Sequence, residues 1–205
     1  MRIDVDRDSH RMEVELDTLY ARHFAGRDRR DRLGDPDGPD DGPIRQDRWA
    51  ASDLVRLPAA IPPRFRAYRR IADGECYVYV EDILQRRLAG CTVFNRLVGI
   101  DRRLDPHLRS PHSRYRPAFQ RRGLATAVYR QMLDAGVCLL SSARQSPAAH
   151  ALWKSLGRRY ELGYVRLEGG RVIALGDRVE DAVFDDLDTR LLLCGAGWDA
   201  ARLAG

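Results

Sequence analysis

Gln120-Arg121-Arg122-Gly123-Leu124-Ala125-Thr126 stands between a stretch that can be extended and one with helical spacing. A helix N-terminus leaves about four backbone N–H groups unpaired, and they carry the positive end of the helix dipole. A phosphate or diphosphate fits there. Gly123 lets backbone approach an anion closely, and Ala125 keeps the next turn clear. Arg121 and Arg122 can add charge-assisted contacts. An ordinary β-to-α turn with solvated arginines would read the same over this segment alone. The P-loop spacing G-x-x-x-x-G-K-[ST] does not occur.

The flanking text supplies elements to hold this turn. Ser113 to Phe119 reads as extended, with Pro117 marking an end or irregularity. Gly123 to Ala135 is helical, since Leu124, Val128 and Met132 recur at i+4 and Gly136 is a natural stop. Val137 to Ser142 is a short apolar run, as in a buried strand. Ser146-Pro147 starts a second helix, with serine as N-cap and proline at the first helical position. Ala149, Leu152, Trp153 and Leu156 share one face of it, and Gly157 closes it. Leu162–Leu167 and Arg171–Leu175 form a hairpin around Gly169-Gly170. Upstream, the reading gives strands at Asp53–Leu57, Cys76–Glu81 and Leu88–Leu97, with a turn at Asp73-Gly74. It places a helix over Arg64–Ala72 behind Pro62-Pro63, and a polar, irregular stretch over Asp101–His112. Met12–Leu16 alternates like a strand, 178–188 is acidic and helical, and Leu191–Cys194 is a last strand.

Composition bounds the class. The chain has 205 residues, 44% hydrophobic and 32% charged, which suits one globular domain. It divides into an N-terminal segment (1–25), an Asp/Arg/Gly/Pro-rich mobile loop (26–48) and a core (49–205). The net charge is +5, almost all of it from arginine, because Lys154 is the only lysine. A compositional bias toward arginine accounts for this on the plainer reading, and an anionic partner, a phosphorylated cofactor or nucleic acid, on the functional one. No run approaches the roughly 18 apolar residues of a membrane span. The first residues lack the apolar core of a secretory signal. Cys76, Cys91, Cys138 and Cys194 lie far apart among apolar neighbours, which predicts no metal site, no disulfide framework and a cytoplasmic location.

The run Pro117-Ala118-Phe119-Gln120-Arg121-Arg122-Gly123-Leu124-Ala125 resembles the acyl-CoA-binding motif [QR]-x-x-G-x-[GA] of the GNAT N-acetyltransferases. Ser146, Ala149, Leu152, Trp153 and Gly157 match the spacing of that family's second motif, N-x-x-A-x-x-L-Y-x-x-x-G-F. Ser146 stands for Asn, Trp153 for Tyr and Arg158 for Phe. The two occur in the family's order and separation, and the likeness covers residues 113–176. Ser142-Ala143-Arg144-Gln145-Ser146, followed by a helix bearing Trp153, is similar to a phage- and prophage-associated branch.

The resemblance implies an α/β (α+β) fold, a mixed central sheet flanked by helices. Acetyl-CoA, or another acyl-CoA, would lie in a V-shaped split between two parallel strands, Ser113–Phe119 and Val137–Ser142. Arg121, Arg122, Gly123, Leu124, Ala125 and Thr126 would hold the diphosphate. Tyr115, Arg116, Pro117, Phe119, Gln120, Ser146 and Trp153 would flank the remainder. A backbone N–H near Tyr115–Pro117 would polarise the thioester carbonyl. An amine would attack directly, with no covalent enzyme intermediate. The family's proton donor is the tyrosine that Trp153 replaces, and an indole N–H is no acid near neutral pH. Tyr160 and Tyr129 are substitutes. Glu81 and Asp82 at a strand end, and His107 and His112 before the cofactor strand, are candidates for the general base.

Other readings compete. A GNAT-like module that binds acyl-CoA or a partner without catalysis would keep the phosphate turn and lose the acid. A nucleic-acid binder would use Arg64, Arg66, Arg69 and Arg70 on one helix, with Phe65 and Tyr68 among them, yet no nucleic-acid motif accompanies them. His23 and Asp28 spell the H-x-x-x-x-D of glycerolipid acyltransferases inside an Asp-rich tract, with no apolar helix beside it. The expectation is an N-acetyltransferase acting on a small-molecule, peptide or protein amine, with a homodimer as one assembly and no metal.

Overall fold

The computed structural model describes residues 16, 18, 54–180 and 188–204. The loop at 26–48, the H-x-x-x-x-D tract and most of the acidic stretch at 178–188 lie outside the described residues. Leu16, the described residue of the expected strand Met12–Leu16, is helical instead.

Among the described residues nine strands form one sheet. They are β1 (Val55–Leu57), β2 (Phe65–Ala72), β3 (Glu75–Asp82), β4 (Arg87–Asn95), β5 (Leu108–Tyr115), β6 (Cys138–Leu140), β7 (Leu162–Glu168), β8 (Arg171–Gly176) and β9 (Thr189–Leu193). Across the sheet they run β1-β2-β3-β4-β5-β6-β9-β7-β8. Beyond the helical residues at 16 and 18, the helices among the described residues are α1 (Leu124–Asp134), α2 (Pro147–Leu156) and α3 (Ala200–Ala204).

The expected helix over Arg64–Ala72 is β2. Its residues pair one for one with β3, from Phe65 opposite Asp82 to Ala72 opposite Glu75. Pro62-Pro63 precedes a strand because the following residues find ladder partners and bury Phe65 and Ala67. Helical periodicity over a short arginine-rich segment loses to that pairing. The same register spreads Arg64, Arg66, Arg69 and Arg70 along a strand and its entry, so they make no basic helix face. The turn at Asp73-Gly74 is as the sequence predicts. Both residues have positive φ (54° and 77°), which a two-residue hairpin with right-handed strand twist requires.

Alternation sorts side chains to two faces. On β3, Cys76, Val78 and Val80 enter the core under α1 and α2, while Tyr79 packs on the opposite face. On β6 and β9, Leu139, Leu191 and Leu193 join the first face, and Cys138, Leu140 and Leu192 pack toward α3. β4 carries an irregularity. Val80 pairs with Gly90 and Glu81 with Leu88, so Ala89 is an extra residue. A bulge of this kind swaps the faces of the strand beyond it. Thr92 and Phe94 are thereby turned toward α1.

Every neighbouring pair is antiparallel except β5 and β6. These two run parallel and pair only at Leu108–Cys138 and Arg109–Leu139. β6 then ends at Leu140 while β5 continues to Tyr115. The pair therefore parts after two residues and opens the sheet on the side where α1 begins. This is the mixed sheet and V-shaped opening that the resemblance implies. The boundaries differ. β5 starts at Leu108, inside the stretch expected to be irregular, and stops at Tyr115, because Pro117–Phe119 forms a 3-10 turn. Pro117 has no N–H to extend the ladder.

Among the described residues no helix is long and apolar enough to cross a membrane.

Candidate functional site

The opening between β5 and β6 continues as a cleft of about 640 Å³ between the Phe119–Tyr129 segment and one side of α2, from Ala148 to Ser155. Its floor is the free edge of β5. Arg116 N–H donates to the Ala89 carbonyl at 3.0 Å, so Arg116, Arg114 and His112 turn their backbone groups toward β4. Antiparallel alternation then points the N–H groups of Ser113 and Tyr115 at the cleft. The Tyr115 carbonyl accepts from Gln120 Nε2 at 2.9 Å, which locks the turn against the strand. Gly90 permits this geometry, because a Cβ there would lie 2.4 Å from the Tyr115 ring.

One end of the cleft is built for an anion. Gly123 caps α1 in the left-handed region at φ 74°, and Arg121 has φ 57°. The first bond of the helix ladder runs from Ala127 N–H to the Gly123 carbonyl at 2.9 Å. The N–H groups of Leu124, Ala125 and Thr126 thus have no partner within the helix. Arg121 and Arg144 line the same cavity. Gln145 Oε1 is shielded there without a hydrogen bond. The donors, the arginines and the long open edge of β5 fit a diphosphate with an extended amide-bearing arm, as in acyl-CoA. They would hold it through Leu124–Thr126, Arg121 and Arg144 at one end and through Ser113 and Tyr115 along the strand.

The other end carries hydroxyls. Ser113 Oγ donates to Tyr129 Oη at 3.3 Å, so it accepts from Thr92 Oγ1 at 2.8 Å, and Thr92 meets the Tyr115 hydroxyl at 3.3 Å. Burial raises the Tyr129 and Tyr115 pKa values, so both phenols keep their protons at neutral pH. Trp153 is buried and meets the Tyr129 ring edge-on, with centroids 6.4 Å apart.

The structure gathers His112, Tyr115, Phe119, Gln120, Arg121, Gly123, Leu124, Ala125, Thr126, Ser146 and Trp153 around the cleft. Ser146 also accepts from Ala149 N–H at 3.2 Å, so its oxygen caps α2. Tyr129 lines it as well, and the other expected residues lie elsewhere. Arg116 is buried, and its Nε donates to the Leu88 carbonyl at 2.8 Å, bracing the bulge. Pro117 shapes the 3-10 turn. Arg122 stacks over Phe119, which Arg87 covers as well. Of the N–H groups along this segment, that of Arg116 is bonded to Ala89 and Pro117 has none, which leaves those of Ser113 and Tyr115 facing the cleft.

Four acid–base candidates are also displaced. Asp82 is buried in a two-pronged pair with Arg64 (2.9 and 2.5 Å) and accepts from the Leu84 and Gln85 N–H groups. The guanidinium, partly offset by desolvation, holds its carboxyl below the usual range. It closes a turn. Glu81, half-buried at the same strand end, does not line the cleft. Tyr160 donates to Asp134 Oδ1 at 2.6 Å, at the far end of α1. His107 packs against Trp198 with ring centroids 4.6 Å apart. His112 is exposed on β5 at the cleft edge, and its Nε2 accepts from Arg114 Nε at 3.4 Å.

Ser113, Thr92 and Arg144 were not singled out by sequence. Arg144 stands in the loop before α2, where a cation between two motif segments is a usable signal. Thr92 reaches the site only through the bulge at Ala89, which no local pattern reveals.

No protein-family model matches the chain, and no curated protein does. Several solved structures are similar to it. One is a ribosomal L7/L12 α-N-protein acetyltransferase in complex with coenzyme A (11% identity, TM-score 0.35, covering 58% of this chain and 60% of that one). Another is a GNAT superfamily phosphinothricin acetyltransferase from Sinorhizobium meliloti in complex with AcCoA (19%, 0.36, 60% and 63%). A third is a ribosomal-protein-S5-alanine acetyltransferase from Vibrio fischeri (12%, 0.36, 61% and 64%). The chain thus spans 60% to 64% of the length of these proteins.

Proposed function

We propose that this chain is a GNAT-type N-acetyltransferase that moves an acetyl group from acetyl-CoA to an amine. The observation that carries this reading is the parallel pair β5–β6, which parts after two residues and leads onto the uncapped N-terminus of α1.

Bound acyl-CoA supplies a thioester whose carbonyl carbon is open to an amine. The N–H groups of Leu124, Ala125 and Thr126, with Arg121 and Arg144, hold its diphosphate. The Ser113 and Tyr115 N–H groups hold its arm as an added strand would be held, and one of them stabilises charge on the carbonyl oxygen. His112, at the cleft edge, takes at Nε2 the proton that the amine nitrogen loses, which displaces the Arg114 N–H that this nitrogen accepts. Tyr129 keeps its proton, and Ser113 donates to its oxygen, so its own O–H is left to protonate the departing sulfur. The N–C bond forms, the C–S bond breaks, and the thiol leaves neutral.

A second reading has one observation in its favour. The usual tyrosine is Trp153, buried as a packing residue, as in a module that binds acyl-CoA without transfer.

Calorimetric titration with acetyl-CoA of the wild type, Gly123→Asn and Gly123→Asp tests the cofactor site. Asn tolerates positive φ and matches Asp in shape. The Asp variant is expected to bind at least tenfold more weakly than the Asn variant. Equal binding by the two, or none by the wild type, overturns the assignment. Thiol release over an amine panel then separates enzyme from binding module.

A further inference from the structure

A second cavity, about 250 Å³, lies on the sheet face opposite α1 and α2. Its walls are Tyr77 and Tyr79 of β3 and Cys91 and Val93 of β4, with Leu16 closing one side. The two tyrosine rings stack, with centroids 6.5 Å apart and planes 15° from parallel. The Tyr77 hydroxyl is turned to Glu75 Oε2 at 3.0 Å, so the cavity meets ring rather than polar oxygen. An apolar cavity of about 150 Å³ already accepts benzene. This one has room for a single leucine- or phenylalanine-sized group.

The rim is polar. His112 and Arg114, two residues apart on β5, stand at the mouth. Among the described residues, His112 is the one that lines both this cavity and the cleft. His112 therefore stands where the two spaces border one another. The guanidinium Nε is 3.4 Å from the imidazole Nε2. A base and a fixed cation this close match an amine and a carboxylate borne on one carbon. They do not match two ammonium groups on a flexible chain, since the second would face Arg114.

We propose that the amine acceptor is a free α-amino acid with an apolar or aromatic side chain. Its side chain enters the Tyr77–Tyr79 cavity, its carboxylate meets Arg114, and its amine meets His112. The proposal rests on the transferase reading for its chemistry, and it has a binding test of its own.

L-Leucine, L-phenylalanine, 2-phenylethylamine and spermidine are titrated calorimetrically into the wild type and Arg114→Gln, with and without coenzyme A. Acetyl-CoA binding is measured on the same samples. Expected are leucine and phenylalanine binding to the wild type, at least tenfold weaker binding to Arg114→Gln, and no effect of that change on 2-phenylethylamine. A Val93→Trp variant, which fills the cavity, should lose phenylalanine and retain acetyl-CoA. Tighter spermidine than leucine, or an Arg114→Gln variant that binds leucine like the wild type, overturns the proposal. So does the absence of amino-acid binding in both conditions. If acetyl-CoA binds and amino acids do not, the acceptor class alone falls. If amino acids bind and acetyl-CoA does not, the cofactor reading falls and the pocket stands.

Discussion

A phenol that ends a chain of hydroxyls can do what an indole cannot. Trp153 occupies the helix position at which the resembling family carries its acid, and it is buried against Tyr129. Tyr129 lies one helix away and faces the same cleft. Its ring is packed between Phe94 and Trp153, so Phe in its place keeps the packing and removes only the proton. Tyr129→Phe is expected to lower kcat by about 100-fold, the scale of a positioned general acid, with acetyl-CoA affinity unchanged. Steady-state thiol release and calorimetry on one preparation check it. Unchanged kcat would leave the thiolate departing without help from Tyr129. At this scale Gly123 and the Ser146 cap were legible in the sequence, because each is a local device read within four residues. Tyr129 was legible as a candidate and not as a partner of Ser113. That bond depends on where β5 sits beneath α1, which only the assembled sheet decides.

At the scale of elements, the site depends on how strands are started and stopped. β5 ends where Pro117 withdraws an N–H, and α1 begins where Gly123 turns left-handed. Both signals stand in the sequence, and the turn between them is where the sequence places it. β2 was missed because proline before a run reads as a helix start when the run's partner strand is unknown. The β2–β3 ladder also explains Asp82. At the end of that ladder, Arg64 and the Leu84 and Gln85 N–H groups surround its carboxylate. With its folded pKa below the ordinary 3.8, the carboxylate binds fewer protons folded than unfolded between the two values. Stability therefore rises with pH through that window. The contribution is full above about pH 4 and is lost as the pH falls through the lowered folded value. Urea unfolding of the wild type is expected to weaken between pH 5 and pH 3 by more than that of Asp82→Asn. Asp82→Asn should already be the less stable protein at pH 7, since Arg64 loses its counter-charge. Parallel pH dependence of the two would remove Asp82 from this role.

For the whole molecule, the sheet divides the apolar side chains into three clusters, and the cysteines sample them all. Cys76 lies in the core under α1 and α2, Cys138 and Cys194 lie toward α3, and Cys91 lies in the small cluster around Tyr79. All four are buried thiols. Sequence alone placed them among apolar neighbours but could not say which face each takes, because a strand's phase is set by its register and the bulge at Ala89 changes it. Burial raises the Cys76 and Cys138 thiol pKa values, and desolvation with nearby Glu161 pushes Cys194 up to about 12. These three hold little thiolate at pH 8, so alkylation must await opening of the sheet. One continuous sheet joins their two layers through β6 and β9, whose alternate residues enter both. Opening either layer should therefore expose the other. In iodoacetamide pulses across a urea series, followed by peptide mass spectrometry, Cys76, Cys138 and Cys194 are expected to label with one shared midpoint. Cys91 lines the second cavity and should label ahead of them. A separate, lower midpoint for Cys138 and Cys194 would show that the α3 side opens on its own. In that case β6 could part further from β5 without unfolding the rest, and the width of the cleft would be set by that local opening rather than by the rigid sheet.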